Sequence, residues 1–142
     1  KGLDGNVKMG KSLGNALYLS DDVDTIKEKV MGALTDPARI KKDDPGNPDI
    51  CMVYYYHKLF SSQDDCKNVC EECKAGKRGC VACKKQLIEA VNKTLSPIRE
   101  KRHYYEERPK EVMDILMAGT ENARKVAKQT MVKVKKAMKL DY

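Results

Sequence analysis

All six cysteines of this 142-residue chain fall between positions 51 and 83: Cys51, Cys66, Cys70, Cys73, Cys80 and Cys83. The densest part reads Cys70-Glu-Glu-Cys73-Lys-Ala-Gly-Lys-Arg-Gly-Cys80-Val-Ala-Cys83, two Cys-x-x-Cys pairs separated by six residues. A buried free cysteine behaves as a small hydrophobe, but these thiols sit among Lys, Glu, Asp and Arg rather than Leu and Val. Ordinary core filling does not account for them. Metal ligation and disulfide cross-linking remain.

The chain begins with Lys1 and carries no hydrophobic leader, so it is expected to be part of a longer cytoplasmic protein. Thiols in that compartment stay reduced, which favours a metal over disulfides. On spacing alone, Cys70, Cys73, Cys80 and Cys83 form a tetrahedral zinc set. That set leaves Cys51 idle, and its six-residue gap is short for paired zinc knuckles. No run approaches the ~20 apolar residues of a membrane span. Charged residues make up 35% and aromatics 6%, with no Trp, a profile that suits a helical module. Residues 1–83 hold 13 basic and 13 acidic side chains, so the whole +7 excess lies in residues 84–142. A basic half beside a thiol cluster fits a nucleic-acid partner or, more blandly, the solvated faces of helices.

Periodicity predicts an all-α fold. Ser20 to Asp22 offer caps for a helix carrying Val23, Ile26, Val30 and Leu34 inward, ended by Asp36-Pro37. Asn47-Pro48 opens a second helix through about Phe60, with Cys51 in its first turn and Val53, Tyr56 and Phe60 inward. His57 reads as a packed or surface residue, and Tyr54 to Tyr56 as core rather than base-stacking groups. Ser61-Ser62 starts a helix that ends at Gly76, with Cys66, Cys70 and Cys73 on one face. Cys80 opens a long helix burying Leu87, Val91, Leu95 and Ile98 and bent by Pro97. Pro109 starts another, with Val112, Ile115 and Leu116 inside. Thr120 caps a last one with an apolar seam of Ala123, Ala127, Met131, Val134 and Met138.

The first twenty residues are different in kind. Glycines at 2, 5, 10 and 14 predict a loop, and Lys8 and Lys11 with Ser12 are groups that can hold phosphate. Leu3-Asp4-Gly5 followed by Lys8-Met9-Gly10-Lys11-Ser12-Leu13-Gly14-Asn15 resembles the second signature loop of class I aminoacyl-tRNA synthetases, usually Lys-Met-Ser-Lys-Ser. Tyr18-Leu19-Ser20-Asp21-Asp22, Thr35-Asp36-Pro37-Ala38-Arg39-Ile40, Asp44-Pro45-Gly46-Asn47-Pro48-Asp49 and Pro97-Ile98-Arg99-Glu100-Lys101-Arg102 resemble bacterial tryptophanyl-tRNA synthetases, so the likeness spans nearly the whole chain. Gly10 replaces the middle Ser of the usual loop, as it often does in tyrosyl enzymes. That change removes a hydroxyl and loosens the loop.

The resemblance implies a C-terminal portion of a tryptophan–tRNA ligase: a catalytic loop over 1–20 that ends a nucleotide-binding domain, then a helical anticodon-binding domain over 21–142. It implies ATP with Mg2+, tryptophan and tRNA(Trp) as ligands, a homodimeric full-length enzyme in the cytoplasm, and a monomeric isolated chain. Lys8 and Lys11 are the implied catalytic residues, and Lys8, Met9, Gly10, Lys11 and Ser12 the ATP-binding loop. The other class I signature, a His-x-Gly-His-type helix start, is absent, since His57 and His103 stand apart, so the chain alone is expected to be inactive.

The spacing Cys51-x21-Cys73-x6-Cys80-x2-Cys83 is also similar to that of a subset of these enzymes carrying a [4Fe–4S] cluster on four thiolates beside the anticodon-reading region. Cys66 and Cys70 are then extra thiols, and zinc is the alternative. Lys77, Arg78, Lys84 and Lys85 flank the thiols and are the candidate tRNA contacts. The competing reading is a freestanding Cys-metal RNA-binding module with no catalytic activity, which leaves the Lys8–Ser12 loop unexplained.

Overall fold

A computed structural model describes residues 1–140. It contains five α-helices and two short 3-10 turns, and no strand among the described residues, in agreement with the all-helical expectation. The helices are α1 (Val23–Met31), α2 (Met52–Phe60), α3 (Gln63–Lys74), α4 (Cys80–Glu106) and α5 (Pro109–Ala137). Two compact units divide the chain, residues 1–99 and 100–142.

In the first unit, side-chain caps set the starts of α1 and α3. The Asp22 side chain accepts from the Thr25 amide and caps α1, and Ser62 accepts from the Asp65 amide and caps α3. The core gathers Ile26 and Val30 of α1, Val53 and Tyr56 of α2, Val69 of α3, and Leu87, Val91 and Leu95 of α4, all nearly inaccessible. Each such side chain contributes about 1.5–3 kcal/mol of hydrophobic stabilisation. His57 is fully buried: Nδ1 pairs with the Ser61 hydroxyl at 2.8 Å and Nε2 with the Cys83 carbonyl at 3.2 Å. Burial holds its pKa below the usual histidine value.

Three expectations are corrected here. α1 stops at Met31, because Leu34 leaves the helix to pair its amide with the Leu3 carbonyl and its carbonyl with the Met52 amide. Val23 and Leu34 are consequently 53% and 40% exposed. Residues 48–60 are not one helix: Pro48–Ile50 form a 3-10 turn capped by Asn47, and Cys51, in extended backbone, is the N-cap of α2. The break turns Cys51 inward rather than leaving it on a helical first turn. Ile98, 42% exposed, lies beyond the buried stripe of α4.

Just beyond α3, Gly76 has a φ of +68° in the left-handed region, where a Cβ would lie 2.2 Å from the Asp43 carbonyl oxygen. Gly14 has a similar φ of +63° with open space around it. Left-handed strain on a non-glycine residue costs on the order of 1–3 kcal/mol, and only Gly76 adds a backbone clash. Urea unfolding should therefore show Gly76→Ala well below Gly14→Ala in midpoint. Equal midpoints would mean that the 43–46 loop yields freely.

The second unit is built around α5, a single 29-residue helix through the Gly119-Thr120 position expected to divide it. Thr120 is not a cap: its hydroxyl bonds the Leu116 carbonyl one turn back. No residue of α5 is buried. Val112, Ile115 and Leu116, expected inside, are 43%, 56% and 59% exposed, since one amphipathic stripe has no second layer of its own to cover it.

Candidate metal centre and catalytic loop

Four of the six thiols meet at one place. Cys51, Cys73, Cys80 and Cys83 line a cavity of about 20 Å³, together with Thr35, Arg39, Val53, Tyr54, Val69 and Arg78. Cys51 arrives from the N-cap of α2, Cys73 from the last turn of α3, and Cys80 and Cys83 from the first turn of α4. The α3–α4 turn folds them together because Gly76 reverses the chain there. Gly46 lets the 43–46 loop close over Cys73: its amide donates to the Cys73 carbonyl at 3.0 Å, and a Cβ would lie 2.8 Å from the Cys73 sulfur.

The other two cysteines are not among the residues that line this cavity. The Cys66 thiol donates to the His57 carbonyl at 3.1 Å, and Cys70 does not line the cavity. Burial, and then the neighbouring Cys51, push the Cys83 thiol up to about 12. Burial raises Cys73 as well, against the lowering effect of Arg39. Among the described residues no three Cys, His, Asp or Glu side chains stand in an arrangement that would hold a metal ion as they are.

Arg39 completes the wall, and sequence reasoning assigned it no role. Its Nη1 stands 3.7 Å from the Cys80 sulfur and 3.9 Å from the Cys73 sulfur. Its Nη2 donates to the Lys42 and Arg78 carbonyls, while Nε is buried without a hydrogen-bond partner. Asp36 holds the loop that delivers it, accepting from the Ala38 amide at 2.9 Å and the Asn47 amide at 2.8 Å. The only sequence signal was the sharing of the Asp36-Pro37-Ala38-Arg39 string with the resembled family.

The candidate tRNA cations divide into two kinds. Arg78 is engaged within the fold, with Nε on Glu72 at 2.6 Å and Nη1 on Gln86 at 2.6 Å. Lys84 donates to the Met31 carbonyl at 2.7 Å. Lys77 and Lys85 are exposed, and Lys85 lines an open groove with Lys41, Lys42 and Ile40.

The loop carrying Lys8, Met9, Gly10, Lys11 and Ser12 ends in a 3-10 turn, Lys11–Leu13, closed by Gly14. Lys8, Lys11 and Ser12 are exposed, and Met9 packs against the core. The loop is hung on buried Asn15. Its side-chain oxygen accepts from the Gly10 amide at 2.9 Å, and its amide nitrogen donates to both carboxylate oxygens of Asp4 at 2.9 and 3.1 Å. Asp4 also accepts from the Asn6 amide, the main reason its pKa lies below the usual carboxylate value. Asn15 was legible only as part of the motif string, not as its anchor.

Comparison with known proteins gives the family. The model of the family described as tRNA synthetases class I (W and Y) matches residues 1–96. The chain belongs to this family. Among its synthetase relatives, the tryptophan–tRNA ligase of Aquifex aeolicus is 44% identical over 140 residues, covering 98% of this chain and 35% of that protein. That of Lactococcus lactis is 44% identical over 144 residues, covering 99% of this chain and 42% of that protein. The Campylobacter jejuni tryptophanyl-tRNA synthetase crystallised with ADP and tryptophan superposes with a TM-score of 0.85 at 29% identity, over 96% of this chain and 42% of that one. The synthetase-like chain thus spans about two fifths of the length of these relatives. Among the described residues no helix is long and apolar enough to cross a membrane.

Proposed function

We propose that this chain is the C-terminal part of a tryptophan–tRNA ligase, supplying the phosphate-holding loop and the tRNA-facing helical domain. The observation that carries this reading is the 8–15 loop itself: it lies inside the family match and is held in one shape by Asn15 and Asp4 while Lys8 and Lys11 point to solvent. In the full-length, homodimeric cytoplasmic enzyme the loop closes over the ATP triphosphate with Mg2+. Lys11 stabilises the charge that develops on the departing pyrophosphate as tryptophan attacks the α-phosphate, an interaction strongest in the transition state. Lys8 and the Gly10 backbone shape the loop around the same phosphates. Transfer of tryptophan to tRNA(Trp) follows, with residues 21–142 recognising the anticodon loop. Exposed Lys77 and Lys85 meet its phosphates, and Arg78 and Lys84, bound within the fold, fix the surface around them.

The thiols are the second part of the reading. Cys51, Cys73, Cys80 and Cys83 hold a [4Fe–4S] cluster, with Cys66 and Cys70 outside the ligand set. What supports this set over a zinc set containing Cys70 is that Cys51, not Cys70, lines the cavity. The buried, unpaired Nε of Arg39 is a donor that anionic sulfur would satisfy. When bound, the cluster supplies a covalent cross-link among α2, α3 and α4, which couples metal binding to folding.

The test is tryptophan-dependent ATP–pyrophosphate exchange by the chain joined to its upstream sequence and by the chain alone. Activity is expected only in the joined protein, because the nucleotide sheet and tryptophan pocket lie outside these residues. Exchange by the isolated chain, or none by the joined one, would overturn the reading.

A further inference from the structure

The thiol cavity and an open groove beside it share part of one wall. Arg39, Thr35 and Cys80 line both the enclosed cavity and an open groove of about 610 Å³, whose other walls include Ile40, Lys41, Lys42 and Lys85. Of the three, only Arg39 is long and charged. Its guanidinium is fixed on both sides of the gap, by the Lys42 carbonyl on the 36–47 loop and by the Arg78 carbonyl on the α3–α4 turn. Its Nη1 is thereby held against Cys80 and Cys73, at 3.7 and 3.9 Å. The remaining nitrogen, Nε, is buried and has no partner. Burying a donor unpaired costs about 1–3 kcal/mol, a cost that an acceptor arriving beside Arg39, Cys73 and Cys80 would remove.

We propose that Arg39 is a positioning residue for the thiol-bound metal group: it closes the cavity against the groove and donates hydrogen bonds to anionic sulfur. This rests on the metal reading given above. Two consequences separate the roles. As a plug, Arg39 slows loss of the group to outside chelators. As a cationic donor, it stabilises the more negative, reduced state and keeps the reduction potential high, since hydrogen bonds to the sulfurs set that potential. Lysine keeps the charge but loses the planar fork that reaches two carbonyls and two sulfurs together.

The experiment uses the full chain, purified without oxygen and reconstituted with ferrous iron and sulfide. Iron and sulfide content, the chelator concentration that removes half the iron, and the reduction potential are measured for wild type, Arg39→Gln and Arg39→Lys. Far-UV circular dichroism accompanies each. Arg39→Gln is expected to weaken iron retention about 10–100-fold, the usual effect of removing a supporting partner at a metal site, and to move the potential more negative. Arg39→Lys is expected to keep the potential near wild type while still losing retention. That split between two readouts is not produced by a general loss of stability. Wild-type retention and potential in Arg39→Gln would overturn the role of Arg39 while leaving the metal reading in place. Failure of the wild type to take up iron and sulfide would overturn both.

Discussion

Replacing any one of Cys51, Cys73, Cys80 or Cys83 by serine is expected to abolish iron and sulfide binding, whereas Cys66→Ser and Cys70→Ser leave both intact. Wild type purified without oxygen should carry about four irons per chain with matching sulfide. The division follows from geometry, because only those four thiols line the shared cavity. Their removal also costs stability. α3 buries only Val69, so the 63–80 segment has little core of its own and depends on the cross-link. The four ligand variants should therefore unfold at lower temperature than the metal-loaded wild type. Cys70→Ser should not. One zinc per chain without sulfide, lost on Cys70→Ser but retained on Cys51→Ser, would move the site to the two Cys-x-x-Cys pairs.

The second large effect is expected at Lys11. In the full-length enzyme, Lys11→Ala should lower the rate of tryptophan activation about 10²–10³-fold, the cost of removing one preorganised charge partner of a transition state. The KM for tryptophan should change little, since the lysine acts on phosphate rather than on the amino acid. Its side chain is exposed and packs into no core, so the variant should unfold at the wild-type midpoint. Pyrophosphate exchange with wild-type kcat would remove Lys11 from the catalytic role.

These two predictions draw on different parts of what the sequence carries. The loop at Lys8 to Asn15 was legible because its glycines and its family-like motif lie within a few residues of one another. Three helix starts were legible for the same reason: Asp22, Ser62 and Pro109 act on amides three positions away or on their own backbone angle. The two-unit division was not legible. Nothing in the apolar spacing of Val112, Ile115 and Leu116 distinguishes a stripe that is buried from one that is exposed.

The thiol cluster falls between these cases. Its existence was plain from the crowding of six cysteines into residues 51–83, and the polar residues between them argued against core filling. Which thiols share a cavity depends on the rotation of α2 after the 48–50 turn and on the reversal at Gly76, neither of which spacing fixes. Arg39 lies 34 residues before Cys73 and 41 before Cys80, so no local pattern links it to them. By itself, then, the sequence determined the helical class, the caps of α1 and α3, the loop before α1 and the crowding of the thiols, because each is set by chemistry within about one helical turn or within one crowded segment. Only the tertiary structure decided that Cys51 rather than Cys70 faces the cavity, that His57 is sealed in the core and that Arg39 closes the wall. Those depend on how separate helices are brought together by burial of Ile26, Tyr56, Val69 and Leu87, a non-local and non-directional force that leaves no fixed spacing in the chain.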